Sequence, residues 1–232
     1  MSSFKIEFDE YDFSIKNFTL NKFFKKFVES YRSGSVDSST TLLGSRYRGS
    51  LGSIYLDERF LGDVSESDMS KKEINSLYKD VIAGDNYIYF DDWNDAPGKI
   101  MVESGDGDDI IDFENVELEK KSKKLVVDMG AGDDIIICSL GNDRDLKRSP
   151  KVTFKGGTGR DGFYGVPEGV EGVVKDFDTD EDYLGFEGNS KKYRLHETPR
   201  GVAVIRKNLP DGMLLLQGVD FIDQINIVNE CW

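Results

Sequence analysis

The chain has 232 residues and a formal net charge of −14, with 38% hydrophobic and 12% aromatic residues. This length and apolar content argue against a disordered acidic tail and suffice for one good hydrophobic core. The negative charge argues against nucleic acid as the main partner and against an anionic membrane surface, because both need a basic face. A divalent cation is the simplest complementary partner. No stretch approaches about 18 consecutive apolar residues, so no membrane span is expected.

Residues 1–80 are predicted to form an N-terminal capping region with one strand and two short helices. Alternation of apolar and charged residues over 4–14 predicts the strand. The spacing of apolar residues over 19–31 is helical and predicts an amphipathic helix. The capping-box sequence at 70–73 predicts a second, short helix. We expect this region to pack on the core or to close one end of it.

Residues 81–182 contain a repeated pattern of a glycine turn followed by aspartate and then apolar residues. It occurs in three clear copies, at 104–112, 129–137 and 156–164, and each copy follows a strand-like run. The last glycines of the three turns are separated by 25 and then 27 residues. Such a period is typical of repeat architectures. We therefore predict a mainly β chain, a parallel β-helix or β-roll with about one glycine–aspartate repeat per coil.

Stacking of these coils would place the carboxylates of neighbouring corners a few ångströms apart. Their repulsion would be about 4 kcal/mol per close pair at an effective dielectric constant near 20. A calcium ion between the corners would turn that repulsion into attraction, and oxygen ligands suit calcium. The two cysteines, Cys138 and Cys231, lack the spacing of a zinc site. The candidate metal-site residues are Gly105, Asp106, Gly107, Asp108, Asp109, Gly130, Gly132, Asp133, Asp134, Gly157, Gly159 and Asp161.

Residues 183–232 change character and are predicted to form a C-terminal antiparallel β meander. Strand-like segments at 193–198, 201–206 and 212–217 are separated by turns that contain proline and glycine. The segment 218–228 is expected to complete this cap. A cap is needed because the last coil of a stack would otherwise expose its hydrophobic edge.

These motifs resemble those of the RTX (haemolysin-type) calcium-binding β-roll family. The third copy matches the pattern G-G-x-G-x-D-x-U-x, and the likeness covers roughly residues 81–228, including the acidic turn at 173–184 and the strand at 215–222. The resemblance implies a parallel β-roll with calcium between stacked turns, and export by a type I secretion machine. It implies ligands from the first, third and sixth positions of each motif.

Carried over to this sequence, the sixth positions are Asp109, Asp134 and Asp161. The chain departs from the family in having one motif per coil where the family has one every nine residues. Ser104 and Met129 also replace the first glycine in two copies. Calcium is therefore expected on one side of the stack only, at two sites, or at three if Asp85 or the loop at 176–178 takes part.

The expected function is calcium-dependent folding followed by extracellular binding or adhesion, with a cell-surface or polysaccharide ligand. The first residues contain no apolar segment of the signal-peptide type, so we expect secretion without an N-terminal signal, with a cytoplasmic location as the alternative. His196 is the only histidine, and no nucleophile motif occurs, which disfavours catalysis without excluding it.

Two alternatives to this function stay open. The first is a calcium-dependent polysaccharide lyase on a β-helix, in which Arg160 would remove a proton. The second is a carbohydrate-binding module. Its candidate sugar-stacking aromatic residues, which are more often core residues, are Tyr47, Tyr55, Trp93 and Tyr164.

Overall fold

The computed structural model of the protein is mainly β, with parallel strands arranged in two large sheets. It describes residues 4–8, 18–19, 42–43, 53–55, 70, 72–73, 75–76, 79, 83–90, 99–114, 116–118, 124–142, 150–186, 190–208 and 211–228. The strands before residue 150 are β1 (Phe4–Phe8), β2 (Phe18–Thr19), β3 (Leu42–Leu43), β4 (Ser53–Tyr55), β5 (Asn86–Phe90), β6 (Lys99–Asp106), β7 (Ile110–Asp112), β8 (Glu117–Leu118), β9 (Lys124–Ala131), β10 (Ile135–Ile137) and β11 (Gly141–Asn142). The later strands are β12 (Lys151–Thr158), β13 (Gly162–Tyr164), β14 (Glu171–Val174), β15 (Tyr183–Gly185), β16 (Tyr193–Thr198), β17 (Gly201–Arg206), β18 (Met213–Gln217) and β19 (Asn226–Val228).

The chain passes alternately between the two sheets. Strands β6, β9, β12 and β14 lie in an eight-stranded sheet of order β16-β17-β18-β14-β12-β9-β6-β2. Strands β7, β10, β13 and β15 lie in a nine-stranded sheet of order β19-β15-β13-β10-β7-β5-β1-β4-β3. Neighbours in these runs pair parallel, and the register aligns Gly105 with Gly130 and Gly130 with Gly157. Each glycine corner therefore lies over the equivalent corner of the next repeat.

The hydrophobic core consists of columns of apolar side chains that repeat from layer to layer. Alternate residues of β6, β9 and β12 are buried, as expected for strands with one face on a core. Ile100, Leu125 and Val152 form one column, and all three are 0–1% exposed. Ile88, Ile111 and Ile136 belong to the corresponding column in the nine-stranded sheet. Each such side chain stabilises the fold by about 1.5–3 kcal/mol when it is fully buried.

The C-terminal region combines an antiparallel meander with two further parallel layers. Strand β16 pairs antiparallel with β17, and β17 pairs antiparallel with β18, which confirms the meander predicted for 193–217. The prediction was wrong for the segment that follows, because β19 pairs parallel with β15. Strand β18 also pairs parallel with β14. The chain from β18 to β19 thus adds one more layer to both sheets, and of the described strands only β16 and β17 lie beyond it.

The described part of the N-terminal region continues both sheets at their other end. Strand β1 pairs parallel with β5 and antiparallel with β4, while β2 pairs parallel with β6. The capping box is formed: Ser70 N–H donates to the Glu73 carboxylate at 2.6 Å, and Glu73 N–H donates to Ser70 Oγ at 3.3 Å. The helix predicted over 19–31 lies outside the described residues. In the part of the chain that is described, no helix is both long and apolar enough to cross a membrane.

Candidate metal centre

The corners that join β6 to β7, β9 to β10 and β12 to β13 each contain two glycines in a conformation that other residues rarely adopt. The φ angles of Gly105, Gly130 and Gly157 are 107°, 104° and 106°. Gly132 has a φ of 144° and lies so close to the layer below that an added Cβ would be 2.1 Å from the carbonyl oxygen of Gly107. Glycine is therefore required at these corners both for the backbone angle and for the close stacking of successive layers.

The aspartates that follow the glycines form one column inside the stack. The strand register places Asp109 beside Asp134 and Asp134 beside Asp161. The same register adds Asn86 before them and Asp182 after them. We call these five residues the inner column. All five are buried, and Asp109, Asp134 and Asp161 are 0%, 1% and 2% exposed.

One oxygen of every aspartate in the inner column accepts a hydrogen bond from the preceding layer. Asn86 N–H donates to Asp109 Oδ1 at 2.7 Å, and Asp109 N–H donates to Asp134 Oδ1 at 2.8 Å. Asp134 N–H donates to Asp161 Oδ1 at 3.1 Å, and Asp161 N–H donates to Asp182 Oδ1 at 2.9 Å. The carboxyl groups thus join five successive layers through main-chain donors.

The second oxygen of the three central aspartates is buried and has no hydrogen-bond partner among the residues that the structure describes. This holds for Oδ2 of Asp109, Asp134 and Asp161. Asp182 differs, because its Oδ2 accepts a hydrogen bond of 2.8 Å from Asp178 N–H. A buried polar atom without a partner is costly, and a buried charge more so, unless a proton or a cation compensates it. The three central carboxyls therefore need such a partner.

The pKa values of these carboxyls reflect the same lack of a partner for their buried oxygens. Burial raises the pKa of Asp134 to about 8, and the neighbouring carboxyls of Asp109 and Asp161 add to the increase. Burial likewise raises the pKa of Asp161 to about 7. Burial raises the pKa of Asp109 only to about 6, because Ser104 and Asn86 counter it. Without a cation, the column favours the neutral carboxyl form, whereas a bound cation would favour the carboxylate.

The oxygen atoms at the corners are suitable ligands for a hard cation. Main-chain carbonyls of the third motif position face the preceding layer: Ala131 O accepts from Gly107 N–H at 2.8 Å, and Thr158 O accepts from Gly132 N–H at 2.9 Å. A carbonyl has a second lone pair, so these bonds leave it able to bind a cation. Within the described residues, no group of three His, Cys, Asp or Glu side chains could hold a metal. A cation here would be bound by carbonyls with one or two carboxylates, and such an oxygen set suits calcium.

The other predicted aspartates lie on the exposed side of the corners. Asp85, Asp108 and Asp133 form an outer column in which the hydrogen bonds run the other way, from the main chain of each layer to the carboxyl of the layer before it. Asp108 N–H donates to Asp85 Oδ1 at 3.1 Å, and Asp133 N–H donates to Asp108 Oδ1 at 2.8 Å. Arg160 ends this column, since its N–H donates to Asp133 Oδ1 at 2.9 Å. Asp106 is exposed as well. The structure therefore separates the predicted aspartates into a buried set and a solvated set.

The residues considered for other functions take structural or exposed positions. The Arg160 guanidinium lies 4.7 Å from the centre of the Tyr183 ring. Tyr164, a candidate for sugar stacking, is buried with its ring edge-on to Tyr183. His196 is exposed on β16. The remaining candidates for sugar stacking, which are Tyr47, Trp93 and the side chain of Tyr55, lie outside the described residues.

Comparisons of this chain with family models, with curated proteins and with solved structures found no match. Function is therefore inferred from the arrangement of the residues themselves.

Proposed function

We propose that this chain is a calcium-binding protein of the RTX type, with a parallel β-roll whose folding is coupled to calcium. The observation that carries the proposal is the inner column. It contains three buried aspartates, stacked over one another, and each has one carboxyl oxygen that no group in the described part of the chain satisfies. The glycine corners beside them bring the main chains of adjacent layers close together, so that a Cβ added at Gly130 would lie 1.9 Å from Gly105 O. Calcium would be held by these carbonyls and by Asp109, Asp134 and Asp161.

Calcium bound in this way would stabilise the stack of layers and not only one loop. Each carboxyl group of the inner column already touches the preceding layer through Oδ1. An ion bound to Oδ2 would remove the repulsion between successive carboxylates and compensate their burial. Because the unfolded chain has no such arrangement, the binding free energy would appear as folding free energy.

The biological role that fits this coupling is export followed by folding outside the cell. Extracellular calcium modules bind their ion with dissociation constants of about 10⁻⁴–10⁻³ M, which is far above cytosolic calcium levels. The chain would stay loosely folded before a type I secretion machine exports it, and it would fold in extracellular calcium. It would then act in binding or adhesion, with a cell-surface or polysaccharide ligand. The resemblance to RTX repeats and the strongly acidic composition support this role.

The direct test is to measure folding and binding with and without calcium. Far-UV circular dichroism and urea unfolding would be recorded at neutral pH in a chelator, in millimolar calcium and in millimolar magnesium. Isothermal titration calorimetry would give the number of calcium ions bound. The proposal predicts that calcium raises the unfolding midpoint and the β content, and that magnesium at the same concentration does so far less. Equal unfolding curves in chelator and calcium would refute it.

A further inference from the structure

The first member of the inner column is an asparagine where the next four layers have aspartate, and its amide nitrogen has an unusual environment. Asn86 is 3% exposed. Its Nδ2 lies 2.5 Å from Gly84 O, 2.9 Å from Asp109 Oδ1 and 3.5 Å from Ser104 O. Two of these oxygens belong to the layer of Asp109 and one belongs to the layer of Asn86 itself.

This group of oxygens is of the kind that would bind a cation. Two main-chain carbonyls and one carboxylate, from two adjacent layers, converge on one nitrogen. An amide NH₂ group has only two hydrogens to offer three acceptors, and it carries a partial positive charge. The main-chain N–H of Asn86 also donates to Asp109 Oδ1 at 2.7 Å. Among the described residues, Asn86 thus satisfies the oxygen of Asp109 that faces this layer by itself.

We infer that the Asn86 amide takes the place of a calcium ion in the first interlayer gap, so that this end of the column is closed without metal. The inference rests on the proposed function, because it presumes calcium at the corners further along. The opposite end differs in its hydrogen bonds, since both carboxyl oxygens of Asp182 accept main-chain N–H groups. Asn86 Oδ1 is buried and has no partner among the described residues, but as a neutral amide oxygen it carries no charge that needs a cation. The identity of the residue at position 86 therefore fixes the number of calcium sites.

The test is to restore the aspartate with Asn86→Asp. This change keeps the shape of the side chain but replaces the NH₂ group with a carboxylate oxygen that faces Gly84 O, Ser104 O and Asp109 Oδ1. Only the main-chain N–H at position 86 then still donates to Asp109 Oδ1. The variant is expected to bind one calcium ion more than the wild type in isothermal titration calorimetry and in native mass spectrometry. In a chelator at neutral pH its urea midpoint should fall below that of the wild type, and saturating calcium should abolish most of that difference.

Asn226→Asp is the matched control. It makes the same chemical change at an exposed position of β19. The preceding residue, Ile225, is the one that the strand register places beside Asp182, so Asn226 itself lies outside the inner column. This variant should leave the calcium stoichiometry and the chelator midpoint as in the wild type.

Each outcome distinguishes this inference from the proposed function. If the wild type binds calcium and Asn86→Asp binds the same number of ions, the inference fails and the proposed function stands. A gain of one ion by both variants would also overturn it, because an added surface charge would then suffice. If Asn86→Asp is unfolded in a chelator, it should refold on addition of calcium, and a variant that stays unfolded in saturating calcium would refute the inference. A wild type that binds no calcium would refute both the proposed function and this inference.

Discussion

The main-chain N–H of Asp109 donates a hydrogen bond of 2.8 Å to Oδ1 of Asp134, 25 residues further along the chain. The same bond recurs between Asp134 and Asp161 at 3.1 Å. Each aspartate therefore contributes its side chain to the preceding layer and its main chain to the following one. Asp134 is the only one of the three with an unsatisfied aspartate carboxyl on both sides within the described column. It is the residue at which a change affects both neighbouring gaps.

Asp134→Asn should therefore weaken calcium binding more than Asp109→Asn or Asp161→Asn. The amide keeps the shape and can still accept from Asp109 N–H, but the charge is lost. We expect affinity to fall by at least about tenfold, which corresponds to about 1.4 kcal/mol. Titration calorimetry measures this loss, and Asp211→Asn, at an exposed turn residue, is the control. Equal losses in all four variants would contradict the assignment of the inner column.

The same variant should have the opposite effect when no calcium is present. Burial raises the pKa of Asp134 to about 8, so ionising this group in the folded protein costs free energy. A neutral amide avoids that cost. In a chelator at a pH near 9, Asp134→Asn is expected to unfold at a higher urea concentration than the wild type. In saturating calcium the order should reverse, and a variant that is more stable than the wild type under both conditions would argue against a cation in the column.

The metal-free protein should become less stable as the pH rises. The folded-state pKa values of Asp109, Asp161 and Asp134 are about 6, 7 and 8, whereas the ordinary value is 3.8. A carboxyl whose pKa is higher in the folded state binds protons more tightly there, so its contribution is present at low pH and is lost as the pH passes the folded-state value. Unfolding free energy in a chelator should fall between about pH 5 and pH 9.

Calcium should flatten this dependence, because a bound cation stabilises the carboxylate form. Urea unfolding across the same pH range, with chelator and with saturating calcium, measures both curves. A metal-free stability that rises with pH over this range would show that the three carboxyls are ionised in the folded protein and would contradict the raised pKa values.

The sequence predicts the stacked corners correctly because their requirements are local. Glycine with a positive φ must recur at a fixed distance from the strands it joins, and this leaves a visible period at Gly107, Gly132 and Gly159. The sequence also contains a clue that separates the two aspartate columns. Asp109 lies two residues before buried Ile111, so strand alternation places it on the inner face, whereas Asp108 faces outward.

The ends of the inner column could not be predicted in the same way. Asn86 follows only one glycine of the motif, and Asp182 follows an acidic turn, 21 residues after Asp161. Their places depend on the register of strands from distant parts of the chain, which no local pattern encodes. The parallel pairing of β19 could not be predicted for the same reason. A three-residue strand after a turn is equally compatible with parallel pairing to a distant strand and with antiparallel pairing to the strand before it.

Calcium binding near neutral pH should release protons. In the folded protein without the ion, Asp134 is mostly protonated at pH 7 because its pKa is about 8, and Asp161, with a pKa of about 7, is half protonated. A cation that binds Oδ2 must displace these protons. Calorimetry in two buffers of different ionisation enthalpy would give a proton release of about one or more per protein molecule at pH 7. The release should shrink toward pH 9, and Asp211→Asn should not change it.

Gly132→Ala should destabilise the calcium-loaded protein far more than Gly218→Ala. Both glycines have positive φ angles, 144° and 85°, so alanine is strained at either position. That strain alone costs about 1–2 kcal/mol. At Gly132 the new Cβ would also lie 2.1 Å from Gly107 O, whereas no atom of the described residues lies within 4 Å of a Cβ at Gly218. Main-chain atoms of a stacked layer cannot move aside cheaply, so we expect a loss of about 4 kcal/mol or more at Gly132. Urea unfolding in saturating calcium measures both losses, and comparable values for the two variants would show that the corners are not packed layer on layer.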